Sequence, residues 1–396
     1  MSINKKTMCL APWYNIFLES DNTLGPCCQY KETTQYKFDQ IKDYFHSDQI
    51  QTLREDLVSG VKNKNCAECW KAEENGGDSL RIQYNRSLAR HLDVPLLDQI
   101  KNPKLSNVKS FDLTLGNLCN LKCVMCSPYR SSQLLAEVNL NKELQQRYDK
   151  PRESFNKKYE QKNFKWPESN DFVQWCKEHL PRSIQISFSG GEPFLNPWIN
   201  EVLEHIPDSQ KSKCTLHFTT NLTTINNKLF NSFHKFKEVW ISVSVEGIHE
   251  THEYLRFGHS WNLLEKNIKN ILKKGIPNLI FRVNHVVQTP SYHSITNMTD
   301  FFDKLQIQIH PILLKYPKHF QISALTTESK QSFLDHTEEY AGFNFDFIQF
   351  VRSVTKKYIE QDKTLTQECI NDLTELDRVR NNDHNLVIPK KNLRLY

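Results

Sequence analysis

Three cysteines that lie close together in the sequence could bind a metal cluster. Cys119, Cys123 and Cys126 are spaced C-x-x-x-C-x-x-C within the stretch SFDLTLGNLCNLKCVMCSP. Iron–sulfur clusters are held by cysteine thiolates, so three thiolates on one short loop could bind three irons of a 4Fe-4S cluster. The fourth iron would then have no protein ligand, and a cofactor could bind there.

Zinc is the alternative metal for these cysteines. A structural zinc site is usually closed by four ligands, which come from two C-x-x-C pairs or from cysteines and histidines together. No histidine and no fourth cysteine lies near this stretch in the sequence. The spacing therefore favours an iron–sulfur cluster with one open iron.

A second group of cysteines precedes the first. It consists of Cys9, the adjacent Cys27 and Cys28, and Cys66 and Cys69 in a C-x-x-C pair. One cysteine of the adjacent pair together with the other three would make a four-thiolate site, which suits either zinc or a fully ligated iron–sulfur cluster. The run WYNIFLE and the turn SDNTLG predict a β-hairpin between the first two segments.

Alternating apolar and polar residues predict the elements that would position these sites. Six such runs, separated by helix-like segments, indicate parallel strands with right-handed crossovers. Polar residues on the inner face predict an open barrel around a wet cavity, unlike a closed barrel filled by branched apolar side chains. The apolar positions begin with Phe111, Leu113 and Leu115 and continue through Ile184, Leu216, Val239, Leu279 and Ile307.

The expected fold class is therefore α/β, an open (β/α)6 partial TIM barrel. A small N-terminal Cys-rich α+β domain would occupy residues 1–95, the barrel residues 96–322, and a C-terminal helical extension residues 323–396. Helices are expected at 41–58, 196–205, 226–236, 261–274, 298–304, 345–359 and 367–379. The segment 133–175 is an insertion between the first two barrel strands, and it could be a solvated helical layer or contact the substrate.

Two further motifs follow predicted strands. Gly190 and Gly191, before Glu192, would let a ligand approach the backbone at the end of the second strand. The segment SVSVEG contains Ser244 and ends the fourth strand, and Arg256 follows it. A guanidinium suits a carboxylate ligand, although a salt bridge at the helix start is the alternative role for this arginine.

Together, the cysteine spacing and the GGEP motif resemble the radical S-adenosylmethionine (radical SAM) superfamily. The resemblance implies that Cys119, Cys123 and Cys126 hold the 4Fe-4S cluster to which SAM binds. It also implies roles for residues around SAM. These are Gly190, Gly191 and Glu192 for the amino group, Ser244 and Arg256 for the ribose and carboxylate, Met125 at the usually aromatic position near the adenine, and Asn221 in a partly matching T-N-G turn.

Departures from the family pattern are visible at three of these positions. Met125 replaces the frequent aromatic residue, Leu222 stands where glycine is usual after Asn221, and Glu246 replaces the usual aspartate. His249 and His252, which follow that segment, are expected to be solvated at a helix start.

The N-terminal cysteines resemble the twitch half of SPASM/twitch auxiliary-cluster domains. The order of Cys, Trp, Gly, Pro-Cys and C-x-x-C is similar to that family, and a subgroup of radical SAM proteins carries such a domain before the barrel. The resemblance implies an auxiliary 4Fe-4S cluster on Cys9, Cys66, Cys69 and one of the adjacent pair, and it favours Cys27 over Cys28.

The composition bears on the partners and on the cellular compartment of the protein. The chain has 51 Lys and Arg against 46 Asp and Glu, without a concentrated basic face, so a nucleic-acid partner is not expected. Eleven cysteines without a signal peptide indicate a reducing compartment, and no apolar run approaches the ~20 residues of a membrane span. We therefore expect a cytoplasmic protein. Core packing is expected for Cys176, Cys214 and Cys369.

The resemblance implies a radical SAM enzyme of oxidoreductase type. It would cleave SAM reductively to a 5'-deoxyadenosyl radical and abstract hydrogen from a polar substrate, with an auxiliary cluster supporting a net oxidation. The partners would be a one-electron reductant such as flavodoxin or ferredoxin and a small-molecule or peptide substrate. The alternatives are tailoring of a ribosomally made peptide and, in another class, a non-catalytic metal-binding scaffold. The sequence identifies no catalytic base or hydrogen donor.

Overall fold

The protein has an α/β fold built on eight β-strands. The structure, a computed structural model, describes residues 6–32, 34–74, 78–89, 96–149 and 164–394. Within these residues the strands form one mostly parallel sheet in the order β2-β1-β3-β4-β5-β6-β7-β8, which is not closed. The strands are β1 (Asn15–Leu18), β2 (Leu24–Gly25), β3 (Ser110–Thr114), β4 (Gln185–Ser189), β5 (Thr215–Thr220), β6 (Glu238–Ser244), β7 (Leu279–Val287) and β8 (Gln308–Leu313).

Helices occupy most of the chain between the strands and all of the regular structure after β8. The α-helices are α1 (Ala11–Tyr14), α2 (Ile41–Phe45), α3 (Asp48–Ser59), α4 (Ala67–Glu74), α5 (Leu80–Ala89), α6 (Leu96–Lys101), α7 (Ser132–Leu140), α8 (Lys142–Asp149), α9 (Asn170–His179), α10 (Trp198–Glu204), α11 (Asp208–Lys211), α12 (Asn227–Ser232), α13 (His249–Leu255), α14 (Trp261–Lys273), α15 (Ile295–Lys304), α16 (Thr327–His336), α17 (Phe345–Lys357) and α18 (Lys363–Arg380).

The predicted open, mostly parallel α/β fold is confirmed. The six alternating runs correspond to β3 through β8, and the helix predicted at 261–274 is α14. The helical extension expected at the C-terminus is present as α16, α17 and α18. The predicted helix at 41–58 is interrupted between α2 and α3, where the Ser47 hydroxyl donates to the Tyr44 carbonyl at 2.8 Å.

The register of the first strands shows why alternation predicted them. Phe111 of β3 pairs with Ile186 of β4, which pairs with Leu216 of β5, and all three side chains are fully buried. The intervening polar positions, such as Ser187 paired with His217, are half-buried. Because successive side chains of a strand point to opposite faces, one face packs in the core and the other carries polar groups.

The N-terminal hairpin is present, and it has an unexpected second neighbour. β1 pairs antiparallel with β2, as predicted, but it also pairs parallel with β3. Ile16 lies opposite Phe111 and Leu18 opposite Leu113, and these four side chains are fully buried. Residues near the N-terminus therefore extend the sheet.

The chain divides into two compact units. The first contains Met1–Asn117, Asn163–Phe218 and Asn226–Val239, and the second contains Leu118–Lys162, Thr219–Ile225 and Trp240–Tyr396. The division of the sequence at residues 95 and 322 stays a prediction, and residue 95 lies outside the described residues. The insertion at 133–175 includes α7, α8 and the start of α9, while 150–163 lie outside the description.

In the second unit, helix α18 packs on the segment that carries the three close cysteines. Leu373 and Leu376 join a buried apolar cluster with Val124 and Leu134. A buried ion pair joins Arg147 Nε to Asp372 Oδ1 at 2.5 Å. The C-terminal extension therefore helps to hold the start of the insertion in place.

Within the described residues, no helix is long and apolar enough to span a membrane.

Candidate active site and cysteine centres

The loop between β3 and α7 carries Cys119, Cys123 and Cys126. The first two are buried, at 8% and 7% exposed, and the third is half-buried. The Cys126 amide donates to the Cys123 carbonyl at 3.1 Å, which makes the C-x-x-C segment a tight turn. Together with Leu121, the three cysteines form a small cluster of their own.

Backbone hydrogen bonds hold this loop against the end of α13. The Lys122 amide donates to the Phe257 carbonyl at 2.9 Å, and the Val124 amide donates to the Leu255 carbonyl at 2.8 Å. These bonds lie on either side of Cys123 and fix its position. The polar backbone of the loop is thereby satisfied without a regular strand.

Two serines at the start of α7 hold the other side of the loop. The Ser131 hydroxyl donates to the Leu121 carbonyl at 2.6 Å and also accepts the Leu134 amide as the helix cap. The Cys119 amide donates to the Ser132 hydroxyl at 3.1 Å. Because a serine that caps a helix also bonds to the loop, the helix start and the cysteine loop are positioned together.

The Cys123 thiol interacts electrostatically with Arg256 and with the other two thiols of the loop. Burial raises the pKa of the Cys123 thiol to about 12, the Arg256 guanidinium acts in the opposite sense, and Cys126 and Cys119 raise the pKa further. The three cysteines pack in one cluster, and the Arg256 guanidinium lies beside the Cys123 sulfur.

Arg256, directly after α13, faces both Cys123 and Glu246. Its Nη1 lies 3.9 Å from the Cys123 sulfur, and its Nη2 donates to Glu246 Oε1 at 2.7 Å. Burial alone would lower the pKa of Arg256, but the Cys123 sulfur and the Glu246 carboxylate raise it above its ordinary value. The arginine predicted as a SAM ligand forms a salt bridge, which was its alternative role, and its contact with SAM stays a prediction.

Asn221 approaches the same loop from the turn after β5. Its Nδ2 lies 4.0 Å from the Cys119 sulfur and donates to Asn120 Oδ1 at 3.1 Å. Leu222, where the family usually has glycine, is fully buried and has a φ of 56°. That left-handed conformation explains the preference for glycine, and here a leucine adopts it.

Met125 and Ser244 lie in the second unit as well. Met125 is half-buried and packs against the cysteine cluster and against the apolar cluster of α18. Ser244 is the last residue of β6 and is half-buried. Their predicted contacts with the adenine and the ribose stay predictions.

The GGEP motif lies in the first unit, directly after β4. Gly190 and Gly191 both have positive φ, of 71° and 50°, so the sharp turn needs residues that tolerate this conformation. Glu192 is buried, and its Oε1 accepts the Phe194 amide at 3.0 Å, which caps the short 3-10 helix Pro193–Leu195. The carboxylate is thus pre-positioned at a strand end, and its predicted bond to the SAM amino group stays a prediction.

The N-terminal cysteines interact with one another electrostatically within the first unit. Burial raises the pKa of Cys9 to about 12, with further increases from Cys66 and Cys69. The pKa of Cys27 is likewise raised, first by burial and then by Cys28, Cys9 and Cys66. Cys28 is exposed whereas Cys27 is half-buried.

Hydrogen bonds between distant segments hold this second group. Buried Arg81 of α5 donates through Nη1 to the Met8 carbonyl at 2.7 Å and through Nε to Glu73 at 2.9 Å. The Lys31 amide donates to the Asn65 carbonyl at 3.1 Å, which links the turn after Cys28 to the turn before Cys66. Burial raises the pKa of Cys66 as it does that of Cys9, and the positive charge of Arg81 partly opposes both increases. A positive charge therefore accompanies this group too.

Comparison with protein families identifies the region around the three-cysteine loop. Residues 113–301 match the sequence profile of the Radical SAM superfamily. These residues are a radical SAM domain. The cofactors that characterise such a domain are a 4Fe-4S cluster and SAM.

Solved structures give fold matches at low identity. Native anSMEcpe with bound AdoMet is 16% identical, over 58% of this chain and 59% of that chain, with a TM-score of 0.39. SuiB of Streptococcus suis bound to S-adenosylmethionine is 15% identical, over 86% of this chain and 71% of that chain, with a TM-score of 0.38. This chain spans less than two thirds of the anSMEcpe chains that it matches. A comparison with curated proteins found no match.

The residues of the radical SAM domain fit its cluster. Three cysteines pack together on one loop, so they could bind three irons of the cluster and leave the fourth iron without a protein ligand. Arg256 supplies a positive charge beside the thiolates. The N-terminal group also fits, since four sulfurs from three segments could close a second site.

The expectation for one histidine was wrong. His249 is exposed, but His252 is fully buried, with its Nε2 2.8 Å from His259 Nδ1. The helix α13 turns this side chain toward Trp261 instead of toward solvent. Glu246, His259 and Arg81 were not identified as site residues from the sequence. Cys176, Cys214 and Cys369 are fully buried, as core packing predicted.

Proposed function

We propose that the protein is a radical SAM enzyme that oxidises a polar substrate with the help of an auxiliary iron–sulfur cluster. The observation that carries the proposal is the packing of Cys119, Cys123 and Cys126 in one cluster within the radical SAM domain, with Arg256 in contact with Cys123. When bound, the reduced cluster and SAM would supply a 5'-deoxyadenosyl radical that abstracts a hydrogen atom from the substrate. The electron for SAM cleavage would come from flavodoxin or ferredoxin.

The chain's own residues would bind and orient SAM around the open iron. Gly190, Gly191 and Glu192 offer a turn and a carboxylate for the amino group, and Arg256 offers a guanidinium for the carboxylate. Ser244 would contact the ribose and Met125 the adenine, while Asn221 would lie in the turn beside the cysteine loop. Burial of the loop would exclude water from the reacting centre.

A polar substrate is supported by the residues between the buried positions of the strands. Asp112, Ser187 and His217 lie opposite one another in the register of β3, β4 and β5, and each is half-buried. Side chains of this kind can orient polar groups by hydrogen bonds. Peptide tailoring is the alternative; the similar structures include anSMEcpe with bound Kp18Cys peptide and SuiB bound to precursor peptide SuiA.

The N-terminal group would hold an auxiliary 4Fe-4S cluster on Cys9, Cys27, Cys66 and Cys69. Four ligands leave no open iron, so its use would be electron transfer. A substrate radical could lose its electron there, which makes the overall reaction a two-electron oxidation. We choose Cys27 over Cys28 because Cys28 is exposed while the other cysteines are buried or half-buried.

The test is SAM cleavage by the anaerobically reconstituted protein. With dithionite, the wild type is expected to release 5'-deoxyadenosine slowly without substrate, and the Cys119/Cys123/Cys126→Ala variant is expected to release none. The matched control is Cys176/Cys214/Cys369→Ala, which removes three buried cysteines that lie outside both groups. Release by the loop variant would contradict the role given to the three loop cysteines, and no release by the wild type would leave the non-catalytic scaffold as the better explanation.

Metal analysis tests the auxiliary site in the same preparations. Two 4Fe-4S clusters correspond to about eight irons per chain, and the loop variant is expected to keep about four. Zinc in the N-terminal site of anaerobically purified protein would contradict the auxiliary cluster while leaving the radical SAM assignment intact.

A further inference from the structure

Arg256 links a predicted cluster ligand to a fully buried carboxylate. One terminal nitrogen lies 3.9 Å from the Cys123 sulfur, and the other donates to Glu246 at 2.7 Å. The side chain of Glu246 is 0% exposed and that of Arg256 is 12% exposed. The contact with sulfur therefore lies in a low-dielectric environment, where a charge-assisted hydrogen bond is strong.

Both ends of this link are fixed by the fold. Glu246 Oε2 also accepts the Val286 amide at 3.0 Å, which fixes the carboxylate to β7. The Arg256 amide donates to the His252 carbonyl at 2.8 Å, and the Val124 amide bond to Leu255 holds the cysteine loop next to it. Because the guanidinium is planar and always charged, a fixed carboxylate at one nitrogen also fixes the direction of the other.

We propose that Arg256 raises the reduction potential of the cluster on the three-cysteine loop by donating a hydrogen bond to the Cys123 sulfur. This rests on the proposed function, which places the cluster on that loop. The role is separate from binding the SAM carboxylate, since a guanidinium has five N–H donors and the contacts to sulfur and Glu246 use two. Arg256 Nε is buried without a partner among the described residues.

The sign of the effect follows from charge. Reduction adds one electron to the cluster, so a positive donor at a ligand sulfur stabilises the reduced state more than the oxidised state. Hydrogen bonds to the sulfurs and the net charge of the surroundings are among the factors that set these potentials. Removing the donor and its charge is therefore expected to make reduction harder.

The experiment is a redox titration of the reconstituted protein without SAM, followed by EPR. The parent protein and all variants carry Cys66→Ala and Cys69→Ala, so that only the loop cluster contributes to the EPR signal. Arg256→Gln removes the charge, and Arg256→Lys keeps the charge but cannot reach the sulfur and Glu246 as a fork. The matched control is Arg378→Gln, which removes one charge from a side chain that is 65% exposed.

Arg256→Gln is expected to lower the equilibrium constant for reduction about tenfold. For one electron this is a decrease of about 59 mV in the reduction potential. Arg256→Lys is expected to lower it less, and Arg378→Gln to leave it unchanged. Iron content is measured first, and if Arg256→Gln does not retain the cluster, a lowered potential in Arg256→Lys supports the proposal. Wild-type potentials in every iron-loaded Arg256 variant would overturn it. A parent protein without any loop cluster would instead refute the proposed function.

Discussion

The two cysteine groups differ in how the chain brings their sulfurs together. Cys119, Cys123 and Cys126 share one loop, which neighbouring backbone groups and two serines hold in place. The N-terminal group comes from three segments that long-range hydrogen bonds join, such as the bond from Arg81 to the Met8 carbonyl. Three thiolates on one loop would leave one iron of a cluster open to a cofactor. Four thiolates from separate segments would close the site and tie those segments together.

A buried arginine accompanies each group, but the two arginines do different things. Arg256 contacts the Cys123 sulfur and a buried carboxylate, so it acts on the ligand itself. Arg81 bonds to the backbone next to Cys9 and to Glu73, so it acts on the shape of the site. We therefore expect substitutions in the loop to change SAM binding and cleavage. Substitutions in the N-terminal group are expected to change the stability of the protein and electron transfer.

The largest expected effect separates product formation from SAM cleavage. Cys66→Ala with Cys69→Ala removes two of the four proposed auxiliary ligands, so the substrate radical would have no electron acceptor. We expect 5'-deoxyadenosine release to continue and oxidised product to disappear, measured by chromatography with the true substrate. The folded state and the loop cluster are checked by circular dichroism and iron content. Oxidised product at wild-type yield would reject the electron-transfer role.

Arg256→Ala is expected to weaken SAM binding. Loss of a charge-assisted contact with the carboxylate costs roughly 1–3 kcal/mol, which is about a 5- to 150-fold increase in Kd. Equilibrium binding to the reconstituted protein measures this change, with Arg378→Ala as the exposed control. An unchanged affinity would limit Arg256 to its salt bridge with Glu246 and its contact with sulfur.

Arg81→Gln is expected to destabilise the N-terminal group. The change removes donors to the Met8 carbonyl and to Glu73, and an unsatisfied buried group costs about 1–3 kcal/mol. Arg86→Gln is the matched control on the same helix, since Arg86 is 64% exposed and its loss is expected to cost less than about 0.5 kcal/mol. Urea unfolding measures both, and equal midpoints for the two variants would contradict the role given to Arg81.

The smallest effect is expected at Cys28. Because this residue is exposed, Cys28→Ala should leave the iron content of the protein unchanged, whereas Cys27→Ala should remove iron from the auxiliary site. Iron analysis of the two reconstituted variants checks the difference. If Cys28→Ala lost iron and Cys27→Ala did not, Cys28 would be the ligand instead of Cys27.

Much of the fold could be predicted from period-two alternation. Strands β3 through β6 bury apolar residues at alternating positions, and that pattern is visible in the sequence. β1 was predicted only as half of a hairpin, because all four of its residues are buried and no alternation marks a second neighbouring strand. Its parallel pairing with β3 depends on a contact across about a hundred residues.

The candidate site was predictable where chemistry follows local spacing. The three-cysteine loop is contained in eight residues of sequence, and the GGEP turn shows the positive φ values that its glycines suggest. The contact of Arg256 with Cys123 joins residues 133 positions apart, so no local pattern could show it. His252 was expected in solvent because it lies at a helix start, but the fold turns it inward against His259.

The central claim is that SAM binds at the three-cysteine loop and not at the N-terminal group. The most direct measurement is EPR of the dithionite-reduced protein with and without SAM, in the Cys66/Cys69→Ala variant and in the Cys119/Cys123/Cys126→Ala variant. We predict that the signal of the first variant shifts when SAM is added, because its cluster has an open iron, and that the signal of the second does not. A SAM-dependent shift in the variant without the loop cysteines, or none in the variant that keeps them, would contradict the claim.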